Sequence, residues 1–186
     1  MNKAIKLILP LCLLAACSQK RDPVKYAEDK SNGLRKEISV GNMHYTIQYK
    51  PADYIVASEH LDSGNAAERL SQLKGMVWFN ISFQVEGFGQ SPLRYQISGL
   101  DEYTARQDYY LNKAPNDMYL LYGRDSLTVN SYWFENNQNL TPYETMVVGF
   151  KLPGAVEVPK EDLRLSYYDR VFKNGIIKTV IKKEDF

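Results

Sequence analysis

Cysteine and histidine are nearly missing from this chain of 186 residues, which holds two of each. Both cysteines, Cys12 and Cys17, fall near the start. Everything after them lacks a disulfide framework and a thiol nucleophile, so its stability must come from packing. His44 and His60 are the only imidazoles, which leaves few metal and acid–base options. Charge of one sign is missing too: 23 Lys and Arg face 22 Asp and Glu, for a net charge of +1. A near-neutral chain without a basic block gives nucleic acid no electrostatic footprint. The sequence contains no Gly-x-Ser-x-Gly elbow, no Gly-x-Gly-x-x-Gly, no phosphate-cradling loop with its lysine and no His-Glu-x-x-His. Its one long apolar run, over 7–17, is too short to cross a bilayer as a helix.

That run is nevertheless informative. Lys3 and Lys6 precede it, and it ends in Leu14-Ala15-Ala16-Cys17. Basic residues, a short apolar stretch and small residues before a cysteine are the layout of a secretory signal peptide. Its last four residues resemble the lipobox of bacterial lipoproteins. The resemblance covers only the first 20 residues or so, and the remainder of the chain resembles no functional family. It implies that residues 1–16 are a signal peptide removed from the mature chain and that the Cys17 sulfur carries a diacylglycerol. The new amino group would be acylated as well. This covalent lipid is the only cofactor expected, and membrane lipid is a partner through the acyl anchor. Two or three acyl chains, at about 0.8 kcal/mol per buried methylene, hold far more firmly than one. Loss of Lys3 and Lys6 takes the formal charge to about −1. Ser18 resembles an outer-membrane address, and Gln19-Lys20-Arg21 is not an acidic run that would signal surface display. The implied location is the cell envelope, at the outer membrane and facing the periplasm.

Residues 18–35 are polar and aperiodic, so 17–35 reads as a lipidated flexible tether holding a single β-rich domain, 36–186, roughly 20–25 Å from the bilayer. Residues 37–40 and 43–49 around Gly41-Asn42 read as a hairpin. Pro51 opens a short helix to about Leu61; a second is capped by Asn65 with Glu68 three residues on, buries Leu70 and Leu73, and ends at Gly75. The clearest strand is 76–86, where Val77, Phe79, Ile81, Phe83 and Val85 alternate with Trp78, Asn80, Ser82, Gln84 and Glu86. It is expected at the centre of its sheet. Residues 100–111 have helical spacing, with Asp101 and Glu102 suited to the helix dipole. Further strands are expected over 117–122 and 126–134 as a second hairpin, then over 145–152, 163–168 and 176–181, the last two joined across Asn174-Gly175. The fold class is mainly β: an antiparallel β-sandwich, immunoglobulin-like as one option, with two or three short inserted helices.

Candidate chemistry is sparse. His44 falls on the polar face of its strand, where a solvated side chain explains it. His60 stands beside Glu59 and near Asp62, a set that matches no strong metal spacing. Asp101, Glu102 and Asp108 sit on one helix rather than across a cleft, so they do not form a glycosidase pair. Asn80-Ile81-Ser82 matches a glycosylation sequon by chance. The aromatics carry the remaining weight, because flat rings stack on sugars and anchor protein interfaces. Trp78, Trp133 and Tyr132 are the candidate contacts. The sequence therefore reads as a non-enzymatic, lipid-anchored envelope protein that binds an envelope protein partner or stabilises an assembly. The alternative is a glycan-binding module, which calls for at least two coplanar rings on an open face and fails if both tryptophans are buried.

Overall fold

Strict alternation over 76–85 makes a strand with every odd-numbered side chain buried, and the rest of the molecule is layered around it. The structure, a computed structural model, describes residues 21–154 and 156–186; the signal segment and Cys17 lie outside the described residues. In chain order the elements are α1 (Pro23–Glu28), β1 (Arg35–Val40), β2 (Met43–Lys50), α2 (Ala52–Ser58), α3 (Ser63–Gln72) and β3 (Met76–Val85). Then come α4 (Leu100–Asp108), which runs into a π-helical turn at Tyr109–Lys113, β4 (Met118–Tyr122), β5 (Asp125–Thr128) and β6 (Ser131–Glu135). The chain closes with β7 (Tyr143–Lys151), β8 (Leu163–Asp169) and β9 (Gly175–Ile181).

Two antiparallel sheets form the sandwich, one of five strands in the order β1-β2-β3-β7-β6 and one of four in the order β5-β4-β8-β9. The expected sandwich is present, with β3 at the centre of the larger sheet. The order differs from the immunoglobulin arrangement, which sends its third strand to the opposite sheet; here β1, β2 and β3 are consecutive neighbours in one sheet. The core is continuous between layers. Tyr45, Ile47, Phe79, Ile81, Phe83, Met146, Val148 and Phe150 from the large sheet meet Leu120, Leu163, Leu165, Tyr167, Ile177 and Ile181 from the small one. Tyr110, from the π-helical turn, is buried and stacks on both Phe83 and Phe134. Each such side chain contributes about 1.5–3 kcal/mol by leaving water.

Four expectations change. The strand expected over 126–134 divides at Val129-Asn130: β5 pairs with β4, whereas β6 crosses to β7 in the other sheet. Asn130 marks the crossing, its N–H bonded to the Gly149 carbonyl at 2.9 Å. Residues 22–34, expected as part of a flexible tether, are folded onto the domain instead: Asp22 caps α1 through its carboxylate and Ala27 and Leu34 are fully buried. Tyr26 donates to the Asp185 carbonyl, and the Tyr49 N–H to that of Leu34, so this segment is sewn to both the C-terminus and β2. Only four apolar residues are spread over 22–34, too few to show a period, although Asp22-Pro23 is itself a helix-start signal. The cap of α3 is Asp62, which accepts from the Asn65 N–H, rather than Asn65 itself. Finally, Leu73 is buried as expected but Leu70 is 46% exposed.

Candidate functional site

The polar half of the β3 alternation faces outward, and its neighbours match it. Cross-strand partners stand side by side, so the outer face of the large sheet can be read in rungs. One rung runs Arg35, Gln48, Asn80, Val147, Trp133 across all five strands. The next runs Glu37, Thr46, Ser82, Thr145, Glu135, and a third Ser39, His44, Gln84, Tyr143. On the other side of the first lies a rung of Lys50, Trp78, Gly149 and Ser131. Amides and hydroxyls fill the middle, and aromatic and charged residues stand at the borders.

A shallow open depression of about 510 Å³ occupies this face, walled by Arg35, Glu37 and His44 on one side and by Tyr143 on the other. Part of the floor is internally bonded: Ser82 and Thr145 share a hydrogen bond of 2.9 Å, and Gln48 donates to the Ala27 carbonyl of α1. Part of it is not. Asn80 Oδ1 and Arg35 Nε in its lining are buried and have no hydrogen-bond partner among the described residues, and the same holds for Trp78 Nε1 on this face outside the depression. Such groups are normally paired, and each one left unpaired costs about 1–3 kcal/mol. The charges around them are balanced: Lys30 and Arg35 hold Glu37 on one flank. On the other, burial pulls the Lys50 ammonium below its usual range while Glu135 and Glu28 oppose the shift.

The candidate aromatics separate. Trp133 stands open at 67% exposure on the β6 edge. Trp78 shares its face but is only half-buried, its ring laid against the backbone of Gly149, where no side chain intervenes. Between them lie two strand spacings and one rung, about 12 Å between Cα atoms. Tyr132 points the other way: its hydroxyl donates to the Tyr110 carbonyl at 2.6 Å, so it belongs to the wall of the core and leaves the candidate set. Tyr143, 42% exposed, takes its place on the outer face. Its position was legible in the sequence only as a residue beside a strand; the register of β7 against β3 brings it to the site.

The remaining candidates resolve into local structure. His44 lines the depression and bonds Ser39 Oγ through Nδ1. His60 is exposed and left-handed at φ 51°, while Glu59 takes a forked contact from Arg69 and Asp62 caps α3. The described residues contain no group of three or more His, Cys, Asp or Glu able to hold a metal ion. Glu102 accepts from the Ser98 N–H and hydroxyl and from Arg106, contacts that hold its carboxyl down at about 2. Asp108 is tied to Lys113 and Asn112. Two buried carboxylates lie elsewhere: Glu144 accepts from Ser91 and from the Asn137 N–H, and Asp169 accepts from Tyr45 and Asn174. Both pin loops to the sandwich.

A second cavity, of about 630 Å³, lies between α2, α3, Val158-Pro159 and Phe186, with Leu70 on its wall and Arg21 at its rim. No helix among the described residues is long and apolar enough to cross a membrane. No protein-family model matches the sequence, no curated protein matches it, and no solved structure matches the chain. The two faces of the molecule are then the remaining source of functional information.

Proposed function

We propose that this protein is a lipid-anchored, non-enzymatic component of the bacterial cell envelope that acts by binding through the outer face of its five-stranded sheet. One observation carries the reading: three buried but unpaired polar atoms and an open tryptophan share that face. A group left unpaired in the free protein is a place where a ligand gains a hydrogen bond without breaking one. The anchor would be the lipid on Cys17, with the domain at the outer membrane on the periplasmic side. With α1 capped at Asp22, the five residues from Cys17 to Arg21 span at most about 18 Å. The domain would then sit against the bilayer rather than swing from a long tether.

An envelope protein partner, as expected from the sequence, is one occupant of this face; protein interfaces are commonly more apolar at their centre, and here the centre is made of Gln48, Thr46, Asn80 and Ser82. Two measurements test the proposal. Replacing Cys17 by serine should abolish labelling with a radioactive fatty acid and move the protein out of the membrane fraction. A photo-cross-linking amino acid at Trp133 should give a discrete adduct in intact cells, and the same residue at exposed Leu70 should not. Retention at the membrane without Cys17 would remove the anchor from the proposal. No adduct at Trp133, together with no ligand by any other route, would remove the binding face.

A further inference from the structure

We infer that the ligand of the outer sheet face is an uncharged glycan chain lying across the strands, from Trp133 over Asn80 and Gln48 towards Arg35. This deepens the binding role proposed above and rests on it. Four features of the face point to this chemistry. The first is the match of hydrogen-bonding groups. A sugar hydroxyl donates and accepts at once, and so do the side-chain amides of Gln48, Asn80 and Gln84 and the hydroxyls of Thr46 and Ser82. The orphaned atoms supply both kinds, Asn80 Oδ1 as an acceptor and Arg35 Nε as a donor. Both atoms are buried in the free protein, so pairing them with a ligand requires their side chains to turn outward.

The second is an apolar platform beside the polar floor. A pyranose has an apolar C–H face and a polar rim, and Trp133 is a flat, open ring in the same rung as Asn80 and Gln48. It lies two strands from Asn80, about 10 Å between Cα atoms. The face offers one open indole and not the two coplanar rings first asked of a glycan module, so that ring stacks on a sugar at the β6 edge while the amides, in place of a second ring, hold the next units of the chain. The third is charge. Arg35 and Lys50 are offset by Glu37 and Glu135, so no field of one sign favours a polyanion.

The fourth concerns the backbone. Among the described residues all five strands are paired along this face, and the unpaired edges belong to β1 and β6. A peptide that adds as a strand docks on an edge. A ligand of the face has to be held by side chains alone, which suits a sugar chain rich in hydroxyls.

The test uses the lipidated protein extracted in mild detergent, titrated with the uncharged oligosaccharides maltohexaose, cellotetraose and chitotetraose up to millimolar concentration. Tryptophan fluorescence and calorimetry report binding. At least one probe is expected to bind, and Trp133→Ala and Asn80→Ala should each weaken it about tenfold or more, the equivalent of about 1.4 kcal/mol. Leu70→Ser, in the other cavity, should leave it unchanged. Thermal melts of each variant separate lost binding from lost fold; if Asn80→Ala melts early, Asn80→Asp is the substitute. Binding that survives both face variants would overturn the assignment of the site. If no probe binds while the cross-linker at Trp133 captures a protein, the glycan is wrong and the binding role stands. If neither occurs, both fall.

Discussion

Gly149 gives the sharpest test of how the outer face is built. It sits in β7 between β3 and β6, both of which pair with it, and an added Cβ would lie 2.8, 2.9 and 3.0 Å from Cζ3, Cη2 and Cε3 of Trp78. Glycine within a strand ordinarily costs about 0.5–1 kcal/mol relative to alanine, so without the indole Gly149→Ala would stabilise the protein. With the indole in place the sign reverses. Hydrogen bonding on both sides resists movement of the β7 backbone, so the ring has to lift from its seat, and overpacking of this kind costs about 1–3 kcal/mol. For a domain of this size that lowers the melting temperature by about 2–12 °C. Thermal and urea melts of Gly149→Ala, Trp78→Leu and the double variant form a cycle in which the two changes should couple by about 0.5–3 kcal/mol, the smaller side chain relieving the clash. A stabilised Gly149→Ala, or a double variant equal to the sum of its parts, would refute the reasoning.

Other residues make further tests. Burial holds the Glu144 carboxyl above its ordinary value of 4.5, against the hydrogen bonds from Ser91 and Asn137. The folded state thus keeps a proton that the unfolded state has released, so this group's contribution falls as pH rises from about 4.5 through the raised folded value; Glu144→Gln should flatten that slope in urea melts taken across the range. Tyr45 donates to Asp169 at 2.5 Å in the core, and Tyr45→Phe should cost about 1–3 kcal/mol in a chemical melt by leaving the carboxylate short of a donor. Trp133→Ala should shift stability by less than about 0.5 kcal/mol, which makes any loss of binding specific. Removing residues 22–34 together with all that precedes them uncovers the seats of Ala27 and Leu34, and should cost about 3 kcal/mol or more in the same melts.

Where the sequence spoke clearly, one periodic signal had no competitor. The β3 strand was legible because five apolar residues alternate with five that are polar or aromatic, and the β1–β2 hairpin because Gly41 takes φ 59° in its turn. The division of 126–134 was not legible, because Asn130 carries no stronger break signal than many strand residues, and what decides it is the competition of two sheets for one segment. The α1 segment was missed for a related reason: Ala27 and Leu34 are too small or too isolated to draw a pattern, yet the tertiary fold buries both completely. The site was half visible. Asn80, Ser82 and Gln84 could be read as the polar side of a strand, but a polar side becomes a site only when neighbouring strands set Gln48, Thr46, Thr145 and Trp133 in register beside it. Tyr132 shows the converse error, since adjacency to Trp133 in sequence places it on the opposite face of the sheet.

The two faces of β3 obey different rules, and this difference favours binding over a structural role for the outer one. Inward, Phe79, Ile81 and Phe83 are fully or almost fully buried and pack against rings from the other elements. Of their polar neighbours in the core, Tyr45 and Asp169 have found each other, and the Tyr167 hydroxyl alone among the described residues of the core is buried without a partner. Outward, the same strand carries Trp78 and Asn80, half-buried yet each with an unpaired polar atom. A face kept only for solubility has no use for a half-buried indole or for buried amide oxygens without donors: lysine and glutamate there would be better solvated and would cost nothing in unpaired groups. Apolar replacements would remove the same cost. Replacing Trp78, Asn80 and Arg35 together by Phe, Val and Lys should therefore raise stability while abolishing recognition, a trade-off expected of a binding site and not of a solvated wall.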